Sequence, residues 1–231
     1  MCAQYGIMVI GFAHRGARTD HRDNTLPGFE RALALGASGL ESDAWLTADG
    51  IPVLDHDGVA RRGLRHRPIR SLPRAALPSH VPSLADLYEL PGATAVEVSL
   101  DVKDRAAVPS LLEVAGPHKR RLWLCASELR ALASWRCGDH EIRLVHSSGS
   151  RRIGRDTSAH ASRLAAAGID ALNLRAREWT AGMVDACHRS GVMAFGWDAQ
   201  RQAQVSALAA MGIDGIYSDH VAMMMATLRT A

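Results

Sequence analysis

A chain of 231 residues with 47% hydrophobic and 22% charged content is long enough to bury a full core, and one domain over residues 1–231 is expected. The net charge of +3 looks basic, but Lys103 and Lys119 are the only lysines, and the densest basic stretch, Arg61 to Arg70, has no aromatics to stack bases. It reads as a solvated loop, and nucleic acid is not an expected partner. Cys2, Cys125, Cys137 and Cys187 lack paired spacing, no basic leader precedes the first apolar run, and no run reaches the length of a membrane span. A cytoplasmic enzyme without disulfides, a cysteine-bound zinc or stable membrane association is therefore expected.

In chain order, the apolar run Ile7–Ala13 is the first predicted strand and ends on His14-Arg15-Gly16. Asn24-Thr25 opens a helix with Pro27 in its first turn, Leu26, Phe29 and Leu33 on one face, and Gly36 at its end. Gly39–Trp45 is the second strand and carries Glu41 and Asp43. Thr47-Ala48-Asp49-Gly50 then signals a hairpin. If Asp49 and Gly50 are its two-residue loop, Leu46 faces Val53 and Asp43 faces His56, with Glu41 on the same side.

Further strands are predicted at Ala95–Asp101, Arg121–Cys125, Glu141–His146, Ala171–Leu174, Val192–Trp197 and Gly215–Tyr217. Helices between them open at Ser83, Ser127 and Thr180 and close near Gly92, Gly138 and Gly191. Gly168-Ile169-Asp170-Ala171 and Gly212-Ile213-Asp214-Gly215 repeat one helix-to-strand turn. Strands alternating with helices at this length define an α/β class, a compact TIM (β/α)8 barrel, in preference to a doubly wound open sheet.

Barrel chemistry sits at the C-terminal ends of strands, and the polar candidates fall there. His14 follows the first strand, Glu41 and Asp43 sit on the second, and Asp101 closes the third with Lys103 two residues on, on the same face. Glu41, Asp43 and Asp101 supply hard oxygen ligands suited to Mg²⁺, Ca²⁺ or Mn²⁺. His14 and His56 are candidate proton carriers, and Lys103 is a phosphate contact. Asp55 and Asp57 are read as loop-structuring residues. These are the parts of a metal-assisted phosphodiester cleavage site acting on a small molecule. Oligomeric state is not legible.

The ordered set His14-Arg15-Gly16, Asp23-Asn24-Thr25-Leu26-Pro27-Gly28-Phe29, Glu41-Ser42-Asp43, Leu46 to Val53, His56-Asp57 and Leu100-Asp101-Val102-Lys103 resembles the glycerophosphodiester phosphodiesterase family. The likeness is dense from His14 to Lys103 and looser afterwards, where Gly212 to Asp219 is similar to the family's closing strand. It implies a TIM barrel of the PLC-like phosphodiesterase type that cleaves glycerophosphodiesters to an alcohol and glycerol 3-phosphate with one divalent cation. It further implies His14 and His56 as the acid/base pair, Glu41, Asp43 and Asp101 as metal ligands, and Arg15 and Lys103 as phosphate contacts. The nucleophile it implies is the substrate's own neighbouring hydroxyl, giving a cyclic phosphate that water opens.

Alternatives are phospholipase D-like cleavage of lysophospholipid or sphingolipid headgroups and a non-catalytic phosphate-binding barrel. Asp23 and Asp101 stand where the family often has glutamate, and Phe195-Gly196 beside Trp197 stands for its Trp-Thr pair.

Overall fold

A computed structural model describes residues 9–62, 65–154 and 156–230, so the start of the first expected strand, Ile7 and Met8, lies outside the described residues, as does Cys2. The chain begins with β1 (Ile10–His14), α1 (Leu26–Ala34) and β2 (Gly39–Leu46), on which β3 (Pro52–Leu54) folds back antiparallel. β4 (Val59–Arg62) and β5 (Arg65–Pro68) form a separate antiparallel ribbon. Next come α2 (Leu84–Tyr88), β6 (Glu97–Val102), α3 (Val108–Ala115), β7 (Leu122–Ala126), α4 (Leu129–Gly138), β8 (Arg143–Ser147), α5 (Ser150–Ile153) and α6 (Thr157–Ala166). The chain continues with β9 (Ala171–Arg175), α7 (Ala181–Arg189), β10 (Met193–Trp197), α8 (Gln202–Ala210), β11 (Gly215–Ser218) and α9 (Val221–Leu228). Strands β1, β11, β10, β9, β8, β7, β6 and β2 are parallel neighbours in that order, and β1 pairs with β2 to close the expected barrel.

Local chemistry explains the boundaries. The Thr25 hydroxyl accepts from Gly28 N to cap α1, Pro27 fits its first turn, and Gly36 ends it at φ +85. The repeated turn has a packing reason as well as a conformational one. Gly168 and Gly212 take left-handed φ of +67 and +79, and the aspartate two residues on accepts a backbone N–H from the neighbouring strand. Asp170 holds Leu144 N at 2.7 Å, and Asp214 holds Ala194 N at 2.6 Å. The same carboxylates bind Arg136 and His188, so each turn ties a strand start to a helix.

Several expectations change: the helix opened by Ser83 ends at Tyr88, short of Gly92, and the helix expected to open at Ser127 has Glu128 at its cap position. The hairpin pairs Leu46 with Pro52 and Trp45 with Val53, one residue out of the expected register. Thr47 N donates to Ile51 O, and Ile51 N donates to the Thr47 hydroxyl, so the loop holds three residues, with Gly50 left-handed at φ +79. A one-residue slip inverts every facing, and Asp43 lies opposite Asp55, whose N–H donates to Asp43 O, instead of His56. The basic stretch read as a loop is instead the β4–β5 ribbon, which with Val53, Ile69, Leu72, Leu77 and Val81 buries a small core of its own beside the barrel.

The barrel interior is filled by Phe12, Trp123, Phe195 and Tyr217, with Val145 and Ala171. Phe12 and Tyr217 stack at 4.5 Å. Gly39 leaves the room they need, since a Cβ there would stand 2.4 Å from Phe12 Cδ1. Between barrel and helices lies a leucine- and alanine-rich layer. Set into it is a one-way hydrogen-bond chain. Arg163, which has only donors, donates to His160 Nδ1; His160 Nε2–H must then donate to His146 Nδ1, at 3.1 Å, and His146 Nε2–H to Ser127 O. Both rings are buried and held neutral; burial pulls the His146 pKa down to about 4, with His160 adding to it.

Candidate active site

The C-terminal strand ends open on a cleft of about 180 Å³ lined by His14, Arg15, Glu41, Asp43, Asp101 and Lys103. Barrel register assembles them. His14 on β1 is level with Glu41 on β2, and Asp43 is level with Asp101 on β6. Alternation places Glu41 and Asp43 on one face of β2. Asp43, 2% exposed, is held by Arg15 Nε at 3.2 Å, Lys103 Nζ at 3.1 Å and Asn24 Nδ2 at 3.3 Å. Lys103 Nζ also reaches Asp101 at 2.6 Å and so bridges the two aspartates. A buried carboxylate without such partners would cost several kcal/mol.

Backbone conformation serves the same end. Among the described residues, the non-glycine residues with left-handed φ are Arg15, Asn24 and Asp198, at +59, +54 and +66. Arg15 and Asn24 lie beside this carboxylate cluster, and Asp198 follows Trp197 at the rim of the mouth. Each such residue costs roughly 1–3 kcal/mol, which the surrounding contacts offset. Arg15 N donates to Glu41 Oε2 at 3.0 Å, Asn24 N to Arg15 O, and the Ser42 hydroxyl to Asn24 Oδ1 at 2.7 Å. Gly16 follows at φ +81, where a Cβ would stand 2.8 Å from Gly28 C.

His14 is oriented from behind. Its Nδ1 lies 2.6 Å from Asp219 Oδ1 and its Nε2 3.8 Å from Glu41 Oε2. Burial opposes charge on His14, yet Glu41 and the bond to Asp219 outweigh it and raise its pKa. Burial also raises Glu41, with Asp43 and Asp101 adding to the effect and His14 opposing it. Burial disfavours the Lys103 charge, but Asp101 and Asp43 reverse the balance and raise its pKa.

Six of the seven residues expected from sequence thus meet in one cleft. His56 is not among its lining residues. It lies beyond the end of β3, exposed, with Nδ1 2.9 Å from Asp57 Oδ1, beside a smaller cavity of about 80 Å³ shared with Arg22, Asp23, Asn24 and His80. Asp55 accepts from Gly58 N at 2.8 Å, the loop-structuring part read for it. Sequence reasoning missed Asp219, Arg18 and Asn24; Arg18 spans Asp219 and Asp23 at 3.6 and 3.8 Å. The signal for Asp219 was its place just past the last strand. The far wall of the cleft, from β8, β9 and β10, is Ser147, Asn173 and Trp197; Phe195 belongs to the barrel filling.

Glu41, Asp43 and Asp101 line one cleft with oxygen donors of the kind a divalent cation takes, and Lys103 already supplies positive charge between two of them. Among the described residues no group of three or more His, Cys, Asp or Glu side chains is placed to hold a metal ion.

The mouth of the α/β barrel thus brings one histidine, three carboxylates and two cationic side chains into one cleft. Residues 14–122 match the model of the glycerophosphoryl diester phosphodiesterase family. It is 24% identical over 240 residues to a glycerophosphodiester phosphodiesterase of Caldanaerobacter subterraneus subsp. tengcongensis, covering 90% of this chain and 92% of that protein. It is 48% identical over 54 residues to glycerophosphodiester phosphodiesterase 1 of Bos taurus, covering 23% of this chain but only 16% of that protein's length. The fold matches a Thermotoga maritima glycerophosphodiester phosphodiesterase at TM-score 0.82 and 21% identity, covering 94% and 97% of the two chains. It also matches an Oleispira antarctica phosphodiesterase, solved in complex with sn-glycerol-3-phosphate, at TM-score 0.83 and 20% identity, covering 97% and 98%. Among the described residues no helix is long and apolar enough to cross a membrane.

Proposed function

We propose that the chain hydrolyses glycerophosphodiesters to an alcohol and glycerol 3-phosphate. The supporting observation is the convergence in one cleft of an oriented histidine, three carboxylates and two cations, in the segment that matches the family. Asp219 accepts the Nδ1–H of His14, which leaves Nε2 free to take and return a proton. Arg15 and Lys103 face the cleft and stabilise negative charge on the phosphoryl oxygens. His56, paired with Asp57 on the adjacent rim, is the second proton carrier of this reading. Glu41, Asp43 and Asp101 would hold a Mg²⁺, Ca²⁺ or Mn²⁺ ion. Such an ion, when bound, polarises the phosphodiester. The substrate's neighbouring hydroxyl attacks phosphorus and expels the alcohol, and water then opens the resulting cyclic phosphate to glycerol 3-phosphate.

Purified protein with glycerophosphoethanolamine, with and without added divalent ions, tests the reading. Release of glycerol 3-phosphate is expected, with very slow turnover of the analogue lacking the 2-hydroxyl. No hydrolysis of any glycerophosphodiester would sink the activity, and equal rates on the deoxy analogue would remove internal attack.

A further inference from the structure

The cleft does not end at the carboxylates. Past Ser147 and Trp197 it runs into a second groove of about 380 Å³, on whose rim Arg151 and Arg152 stand exposed. At the junction a polar side chain has an unmet need. Asn173, 6% exposed, donates its amide to the Ser147 hydroxyl at 3.4 Å, and its Oδ1 has no partner. Turning the amide over only exchanges which end is unmet. Trp197 Nε1, likewise shut off from solvent, has no partner either. An unmet acceptor and an unmet donor, on adjacent strands and on residues that line the cleft, suit a ligand carrying hydroxyl groups, each of which can donate and accept.

The same wall is hostile to a cation. Register sets Arg175 on β9 level with Trp197 on β10, and the guanidinium lies 4.5 Å from the indole centroid. The ring quadrupole that would attract a quaternary ammonium is already engaged by a fixed positive charge. Arg151 and Arg152 add two more charges of the same sign, and the groove's carboxylate, Glu178, accepts from Ser150 N at 3.0 Å.

We propose that this groove receives the alcohol group of the diester and selects polyol alcohols over quaternary-ammonium alcohols. Asn173 and Trp197 bond its hydroxyls, while Arg175, Arg151 and Arg152 repel cations. The inference rests on the glycerophosphodiester reading and adds a substrate class to it.

The test compares kcat/KM for glycerophosphoinositol, glycerophosphoglycerol and glycerophosphocholine. The two polyol esters are expected to exceed the choline ester by about tenfold or more, the scale of one buried hydrogen bond. Asn173→Ala should cost the polyol esters about tenfold, mainly through KM, and leave the choline ester less affected. Arg175→Gln should narrow the gap from the other side by improving the choline ester. The doubly substituted Arg151→Gln/Arg152→Gln protein changes only exposed residues, so it keeps the comparison open if Arg175→Gln fails to fold; it too should narrow the gap. A wild-type enzyme that cleaves the choline ester as well as the polyol esters overturns the proposal and leaves the activity standing, as does a ratio that none of the variants moves. Inactivity on all three esters overturns the underlying reading and this one with it.

Discussion

The two sides of the barrel mouth are built on opposite rules. On the side of β1, β2 and β6 most charges are paired, Asp43 by Arg15, Lys103 and Asn24, Asp101 by Lys103, and His14 by Asp219, although Arg15 Nε has no hydrogen-bond partner and buried Glu41 stands beside Asp43 and Asp101. On the side of β8, β9 and β10 Asn173 and Trp197 hold polar atoms with no partner. Satisfied charges in a low-dielectric cleft stay where they are placed, which chemistry on a phosphoryl group requires. Unsatisfied neutral dipoles cost less to keep and gain when a ligand arrives, which suits recognition. On the proposed reading, one half is organised in advance to react and the other to choose.

The largest expected effect would break this contrast on the reacting side. Exhaustive chelation should abolish turnover while moving the thermal midpoint little, since Glu41, Asp43 and Asp101 sit on strands formed without it; turnover and thermal unfolding are read on the same chelated sample. Full activity after chelation removes the metal from the proposal. Next, His14→Ala should lower kcat by about 10²–10⁴-fold with an unchanged circular dichroism spectrum, the range for a general acid or base. His56→Ala should do the same if it shares the proton transfer, and the double variant should then lose less than the product of the two. A His56→Ala enzyme near wild-type rate would leave His14 and Asp219 as the whole proton device.

A smaller effect sharpens the claim that Lys103 answers for charge. Its ammonium occupies the gap between Asp43 and Asp101. Lys103→Met should therefore bind Mn²⁺ more tightly by a few-fold in calorimetric titration even though catalysis falls, because a competing cation has gone. Weaker binding would show that Lys103 organises the ligands instead.

The smallest effect belongs behind the choosing side, where His146 and His160 must both be neutral. Their folded pKa values lie below the ordinary 6.5, His146 at about 4, so the unfolded chain binds more protons. Stability is complete above pH 6.5 and is lost as pH falls toward 4, and His160→Gln should flatten that part of the thermal-midpoint profile.

Much of the reacting side was legible because its residues are charged or imidazole side chains placed at the ends of apolar runs, and on consecutive barrel strands β1, β2 and β6 alternation sets which of them share a face. The hairpin was not, because a threonine hydroxyl that closes on Ile51 N widens the loop by one residue, and Asp-Gly serves a three-residue turn as well as a two-residue one. Asp219 was hidden by distance in the chain: only closure of the barrel brings β11 against β1. Asn173, Arg175 and Trp197 are ordinary residues in their own segments, and their meaning lies in what they lack or cover across a strand pair.

The aromatic filling of the barrel also fixes the traffic through the site. Phe12, Phe195 and Tyr217 close the floor, and the Tyr217 hydroxyl reaches Ser99 just beneath the carboxylates. Among the described residues this filling packs the barrel beneath the cleft, so the cleft opens at the mouth. On the proposed reading, reactant, water and both fragments of a broken diester would pass through this mouth, which Arg15 and Trp197 both line. Whichever fragment lingers at either edge holds up the next turnover.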